Sequence, residues 1–262
     1  MKLNFFKYQG TGNDFIMVDN RTSVLSKNDT TLINFLCDRK FGIGADGLIL
    51  LEKPAKTGED FEMVYFNADG NESSMCGNGG RCLVAFAKFL GIVSHKAAFT
   101  AIDGFHEAVI EKDLVGLKMA NVDFISKIGN ALFLNTGSPH HVIFSENVAS
   151  IDVKKEGSAV RYSQQYNPQG GTNVNFVSST DKGNFKVRTY ERGVEGETLS
   201  CGTGVTAVAL AAFHSGRTSS TTVKLNTPGG DLEVSFQALD DGYRNIWLKG
   251  PAKQVFKGEI TC

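Results

Sequence analysis

Met75-Cys76-Gly77-Asn78-Gly79-Gly80 and Ser200-Cys201-Gly202-Thr203-Gly204 place a cysteine at a glycine-rich junction before an apolar run able to form a helix. The two cysteines lie 125 positions apart, and the same separation relates Thr11-Gly12-Asn13-Asp14 to Thr136-Gly137-Ser138-Pro139. A recurring offset of this kind reads as two related halves, each bringing one thiol. Two αβ units with a site in the cleft between them are therefore expected.

Working outward, Leu3 to Asp19 is rich in strand-forming residues and broken by Gly10-Thr11-Gly12-Asn13-Asp14, which predicts two strands joined by a tight loop. The spacing of Leu32, Phe35 and Leu36 predicts a helix over 29–39, begun by Asp29. Leu48–Leu51 and Phe61–Phe66 read as strands, and Leu83, Phe86, Ala87 and Leu90 share the apolar face of a helix after Gly79 that ends near Gly91. Further strands are expected at 97–100, 105–110 and 116–119, with a boundary near Asn121. The second half repeats the order. Strands at 132–134, 142–144, 174–177 and 186–190 precede a helix over 205–212, and Pro228-Gly229-Gly230 turns between strands of a final antiparallel portion.

A chain of 262 residues buries roughly 70 to 75% of the surface that its unfolded form exposes, so it needs no staple. With 27 Lys plus Arg against 28 Asp plus Glu and no basic block, nothing supplies a phosphate-neutralising surface, and nucleic acid is not an expected partner. Neither a membrane span nor a secretory leader is read, which makes the cytoplasm the default compartment. Five cysteines cannot all pair internally, and reduced thiols are expected. Cys37 and Cys82 sit in apolar runs as small core residues, and Cys262 is incidental. Gly42-Ile43-Gly44-Ala45-Asp46-Gly47 lacks the strand–loop–helix context of a nucleotide loop.

A thiol at a helix start faces unpaired N–H groups and the positive end of the helix dipole, which favour thiolate. The adjoining glycines let backbone N–H groups close on an anion such as a carboxylate. If one thiolate removes a proton from Cα while the opposed thiol delivers one to the other face, the stereocentre inverts. Convergent N–H groups stabilise the developing charge without a pyridoxal cofactor. Other uses of the pair fit less well: zinc wants three or four ligands, redox exchange usually has a Cys-x-x-Cys motif, and acyl transfer using His140 or His141 leaves the second thiol without a role. A purely structural pair stays open. Arg192 is suited to grip a carboxylate and Glu191 to accept from an ammonium, although a surface pair is the bland reading. Asn13, Asn67 and Asn173 lie in turn-rich segments where capping is the alternative, and His140 follows Pro139 where it can orient a substrate group.

Taken together, Asn13, Phe66-Asn67-Ala68-Asp69-Gly70, the Cys76 motif, Thr172-Asn173-Val174, Glu191-Arg192-Gly193 and the Cys201 motif closely resemble the diaminopimelate epimerase family over nearly the full length. The resemblance implies a cofactor-independent isomerase that interconverts LL- and meso-diaminopimelate for lysine and peptidoglycan precursor synthesis, with Cys76 and Cys201 as the two catalytic bases. By the same resemblance, Asn13, Asn67, Asn173, Glu191 and Arg192 contact the amino and carboxylate groups, Gly77, Asn78, Gly202 and Thr203 line the helix-end carboxylate site, and His140 stands near the pocket. The fold implied is α/β, with two pseudo-symmetric domains, each a curved, mainly antiparallel sheet wrapped around a central helix. The first would span 1–120 with 250–262, the second 121–249, in a homodimer without metal or cofactor.

The chain departs from the family pattern at Ser138, where many members have Asn, and at Gly47, where some have Gln. Its loop Arg192-Gly193-Val194-Glu195-Gly196-Glu197 is one residue longer than the common form. The alternatives are a racemase or epimerase acting on proline or hydroxyproline, which needs fewer distal polar contacts, and a binding or isomerase-like relative without proton transfer.

Overall fold

The alternation of residues 2–19 yields a hairpin. β1 (Lys2–Gly10) and β2 (Asn13–Asp19) pair antiparallel across Thr11-Gly12, both at positive φ (48° and 95°), the geometry of a type I′ turn. The structure, a computed structural model, describes residues 2–73, 75–180 and 183–262. α1 (Thr30–Cys37) follows, with the Asp29 side chain accepting from Leu32 N, then β3 (Gly47–Glu52) and β4 (Phe61–Asn67). Next come α2 (Gly77–Phe89), β5 (Lys96–Ala101), β6 (Gly104–Glu111) and β7 (Leu114–Lys118).

The second half contains β8 (Ser126–Ile128), β9 (Ala131–Asn135), β10 (Pro139–Phe144), α3 (Val153–Arg161), β11 (Asn173–Ser179) and β12 (Phe185–Glu191). β13 (Gly196–Thr198), α4 (Gly202–His214), β14 (Thr222–Thr227), β15 (Gly230–Leu239), β16 (Gly242–Pro251) and β17 (Lys253–Thr261) complete it.

Backbone contacts divide the chain into one unit of Met1–Leu117 with Gly250–Cys262 and another of Lys118–Lys249. The division falls just before the junction at 120 that the sequence suggests, because Met119 N already donates to Ile246 O of the second unit at 2.8 Å. β17 pairs antiparallel with β1 from Lys2 opposite Thr261 to Gln9 opposite Lys253. Among the described residues, no helix is long and apolar enough to cross a membrane.

Each unit has its own core and repeats one topology. In the first, β2 runs parallel to β3 with Phe15 opposite Gly47, and β4 parallel to β5 with Phe61 opposite Phe99. In the second, β10 runs parallel to β11 with His140 opposite Asn173, and β12 parallel to β14 with Phe185 opposite Leu225. The remaining described ladders within each unit are antiparallel. α2 and α4 are both 13 residues long and begin one residue after a cysteine.

α2 packs against β1, β2, β3, β4, β6 and β17, and α4 against β9, β10, β11, β12, β14 and β15. Each sheet thus surrounds its helix. Every residue of α4 from Val205 to Ala212 is buried, as a helix apolar on all sides must be. α2 turns Lys88 and Phe89 outward and seats Phe86 against Phe6 and Tyr8, with ring centroids at 4.9 and 5.8 Å.

Candidate active site

Cys76 and Cys201 are the N-cap residues of α2 and α4. Both backbones are extended there (φ −95°, ψ 126° and φ −122°, ψ 113°), and neither side chain caps its helix. Sulfur is a weak acceptor, so the first-turn N–H groups remain directed at whatever occupies the helix end. Cys76 is partly exposed and Cys201 is 7% exposed. Cys37 and Cys82 are the core thiols that the sequence suggests: burial pushes each up to about 12, which keeps them protonated.

In the first unit, a polar chain links the β1–β2 turn to α2. Asn13 Nδ2 donates to Asp46 Oδ2 at 3.0 Å, Asn78 Nδ2 to Asn13 Oδ1 at 2.6 Å, and Arg81 Nη2 to Asn78 Oδ1 at 2.7 Å. Each bond fixes the orientation of the next amide, which leaves Asn13 one N–H to offer. The outer end is anchored by Asp14, which pairs with Lys7 at 2.8 Å and with both terminal nitrogens of Arg39. Burial alone would raise Asp14, but the Arg39 and Lys7 bonds hold it down at about 2. Asn67 ends β4 with its side chain exposed and outside this chain of bonds. Gly47 has no room for the glutamine of some relatives: a Cβ there would lie 2.4 Å from Phe66 O and 2.6 Å from the Tyr65 ring.

The second unit builds a different chain behind Cys201. Thr189 Oγ1 donates to Asn175 Oδ1 at 3.0 Å, so the Asn175 amide must present Nδ2 to His140 Nδ1, also at 3.0 Å. His140 therefore carries its proton on Nε2 and donates it to Thr203 Oγ1 at 2.9 Å. The Thr203 hydroxyl lies 3.5 Å from Cys201 Sγ, a contact in which either group can donate. His140 is fully buried; burial, then the charge of Arg192, pulls it down to about 3, so the chain stays neutral at physiological pH. Gly204 is needed for this approach, since a Cβ would stand 2.5 Å from Asn175 Oδ1 and 3.4 Å from Cys201 Sγ.

Asn173 commits its amide to the protein, donating to Ser138 Oγ at 2.7 Å and Pro139 O at 3.0 Å while accepting from Arg192 N at 2.9 Å. Ser138, shorter than the usual Asn, is thus held in place by Asn173. The Arg192 side chain is exposed and, among the described residues, has no carboxylate partner, which leaves its fork available to an anion. Glu191 closes β12, accepts from Thr198 Oγ1 at 2.9 Å, and is raised by burial. The extra length of the following loop is occupied by Glu195, whose carboxylate accepts from Arg161 (3.1 Å), Tyr162 (2.9 Å), Tyr190 (3.1 Å) and Gly193 N (3.0 Å). The longer loop is therefore tied down to α3 and β12.

Each unit brings its own predicted residues together except Asn67 and Glu191, which stand at equivalent strand ends. The residues that sequence reasoning passes over are Arg81, Asn175 and Thr189. Signals for the first two were present: Arg81 is a cation inside an apolar helix, and Asn175 interrupts the apolar run Val174-Asn175-Phe176-Val177.

Residues 5–125 and 132–255 match the family model described as diaminopimelate epimerase. The diaminopimelate epimerase of Flavobacterium psychrophilum is 57% identical over 259 residues, covering 98% of this chain and 100% of the relative. Among solved structures, a phenazine biosynthesis protein of the PhzF family from Bacillus anthracis superposes with a TM-score of 0.79 at 11% identity, covering 100% of both chains. A hydroxyproline epimerase from Agrobacterium vitis gives 0.66 at 15% identity, covering 99% of this chain and 92% of the other. At such identities these two show the fold alone.

Proposed function

The chain belongs to the diaminopimelate epimerase family, and from this premise we infer that it interconverts LL- and meso-diaminopimelate without a cofactor, in the supply of lysine and peptidoglycan precursors. The observation that carries the chemistry is the duplicated helix start: two helices of 13 residues, each with a cysteine at its N-cap and no side-chain cap. A thiolate takes the α proton, breaking C–H and forming S–H, while the other thiol gives its proton to the opposite face of the carbon. The reverse reaction exchanges the roles. Negative charge on the substrate carboxylate is met by N–H groups at the helix starts of Gly77, Asn78, Gly202 and Thr203.

Supporting roles follow from the bonds that each side chain has left. Arg192 grips the distal carboxylate and Glu191 accepts from an ammonium, while Asn13 and Asn67 offer amide groups from the other half. Asn173 holds Ser138 and the Arg192 backbone in place. His140 holds Thr203 against Cys201. A cyclic imino acid would leave Arg192 unpaired, and this argues against the proline reading. The family resemblance carries the further expectations of a homodimer and a cytoplasmic location.

Incubation of reduced protein with LL-diaminopimelate in D2O, without added cofactor, tests the reading. Meso product carrying α-deuterium is expected. Folded, reduced protein that yields neither would refute it.

A further inference from the structure

Arg81 and Thr206 hold the same place, five residues after their cysteines, and both turn back to the first carbonyl of their helix. Arg81 Nη1 donates to Gly77 O at 3.3 Å, and Thr206 Oγ1 to Gly202 O at 2.9 Å. One is a cation and the other is neutral. Around them the polarity is exchanged: Phe15 and Ile49 line the first turn of α2, where the second unit has His140 and Asn175 behind α4.

Arg81 is 0% exposed. Its Nη2 donates to Thr11 Oγ1 at 3.1 Å and Asn78 Oδ1 at 2.7 Å, and among the described residues its Nε has no acceptor and no Asp or Glu is a partner. A buried guanidinium without a counter-charge is costly, so an anion beside it is stabilised. Burial lowers Arg81, and the groups whose charge opposes that are Cys82 and Cys76. Cys82 is protonated, as its burial requires. The other charges near this end of the unit, Lys7, Asp14, Arg39 and Asp46, are paired among themselves. Among the described residues, Cys76 is the group left whose charge answers Arg81.

We propose that Arg81 is a positioning residue that sets the protonation asymmetry of the site, making Cys76 the resting thiolate and leaving Cys201 the resting thiol. The proposal rests on the two-base reading above. In the resting enzyme, Cys76 accepts the α proton and Cys201 donates its own. Turnover leaves Cys76 as thiol and Cys201 as thiolate, a pair in which Arg81 has lost its counter-charge. The two directions of the reaction therefore start from unequally populated forms of the enzyme.

The test is site-resolved alkylation by iodoacetamide, read by peptide mass spectrometry across a pH series, in a Cys262→Ser background. The expected result is a lower pH midpoint for Cys76 than for Cys201. Arg81→Gln should raise the Cys76 midpoint by about one pH unit or more and leave that of Cys201 in place, while Arg81→Lys keeps it low. Equal or reversed midpoints in the parent protein overturn the proposal, as does a folded Arg81→Gln protein with an unmoved Cys76 midpoint. If neither variant folds, the order in the parent protein decides. Alkylation needs no turnover, so a protein inactive on diaminopimelate would remove the proposed function and leave this measurement intact.

Discussion

Acid should weaken this protein through two histidines that its fold keeps neutral. His140 is 0% and His141 7% exposed. Burial, with Arg192, pulls His140 down to about 3, and burial pulls His141 down to about 4 while its Nδ1 meets Tyr166 Oη at 2.6 Å. In the unfolded chain both return to an ordinary value near 6.5. Between the folded and unfolded values, the unfolded state binds protons that the native state refuses, so stability falls as pH drops below about 6.5. At about pH 5 each histidine costs about 2 kcal/mol relative to neutral pH, and the pair about 4 kcal/mol, a large share of the 5–15 kcal/mol that holds a typical domain. Asp14, held at about 2, adds nothing in this window, because its contribution persists until pH falls through that value. Glu191, raised by burial, works in the opposite direction and is common to every variant compared. Urea unfolding at neutral and acidic pH, for the parent and for His140→Gln, separates the terms. The variant will be less stable at both, but its acid-dependent loss should shrink from about 4 to about 2 kcal/mol. An unchanged loss in His140→Gln would refute the assignment of a neutral, buried imidazole at that position.

Two further outcomes follow from contacts already described. Gly204→Ala drives a Cβ against Asn175 Oδ1 and beside Cys201 Sγ, so turnover should fall on the order of 100-fold. The equivalent Gly79→Ala meets the end of the Ile49 side chain at 2.9 Å and the Phe15 ring at 3.5 Å, and should cost about 1–3 kcal/mol of stability and little activity. Equal kcat for the two variants would count against the Asn175–His140–Thr203 chain. Glu195→Ala frees the loop behind Arg192 and should destabilise by about 1–3 kcal/mol while raising KM more than it lowers kcat, an expectation that steady-state kinetics with an unchanged KM would contradict.

The duplicated strands and helices are legible because each half is built on a strong period: two residues in the strands and the apolar run of α2 and α4. The offset of 125 that joins Cys76 to Cys201 in sequence also carries Phe15 onto His140 and α2 onto α4 end for end. α3 escapes because only Val153 and Gly157 are buried, too thin a stripe to announce a helix, although Asp152 caps it through Lys155 N at 3.1 Å. The thiols, His140 and Arg192 could be named from motifs. Arg81 and Asn175 could not be assigned roles, because their importance lies in which neighbours they lack or hold, and strand register and helix phase decide that.

The pairing of β17 with β1 has a consequence for how the chain is made. Residues 118–249 are contiguous, so the second unit has all its strands once they have left the ribosome. The first unit does not: β1 waits for residues 253–261, and until then one edge of its sheet is open. Such long sequence separation slows closure and prolongs exposure of that edge. A nascent or truncated chain ending near residue 250 should therefore present β1 as the segment that recruits chaperones or pairs with another chain.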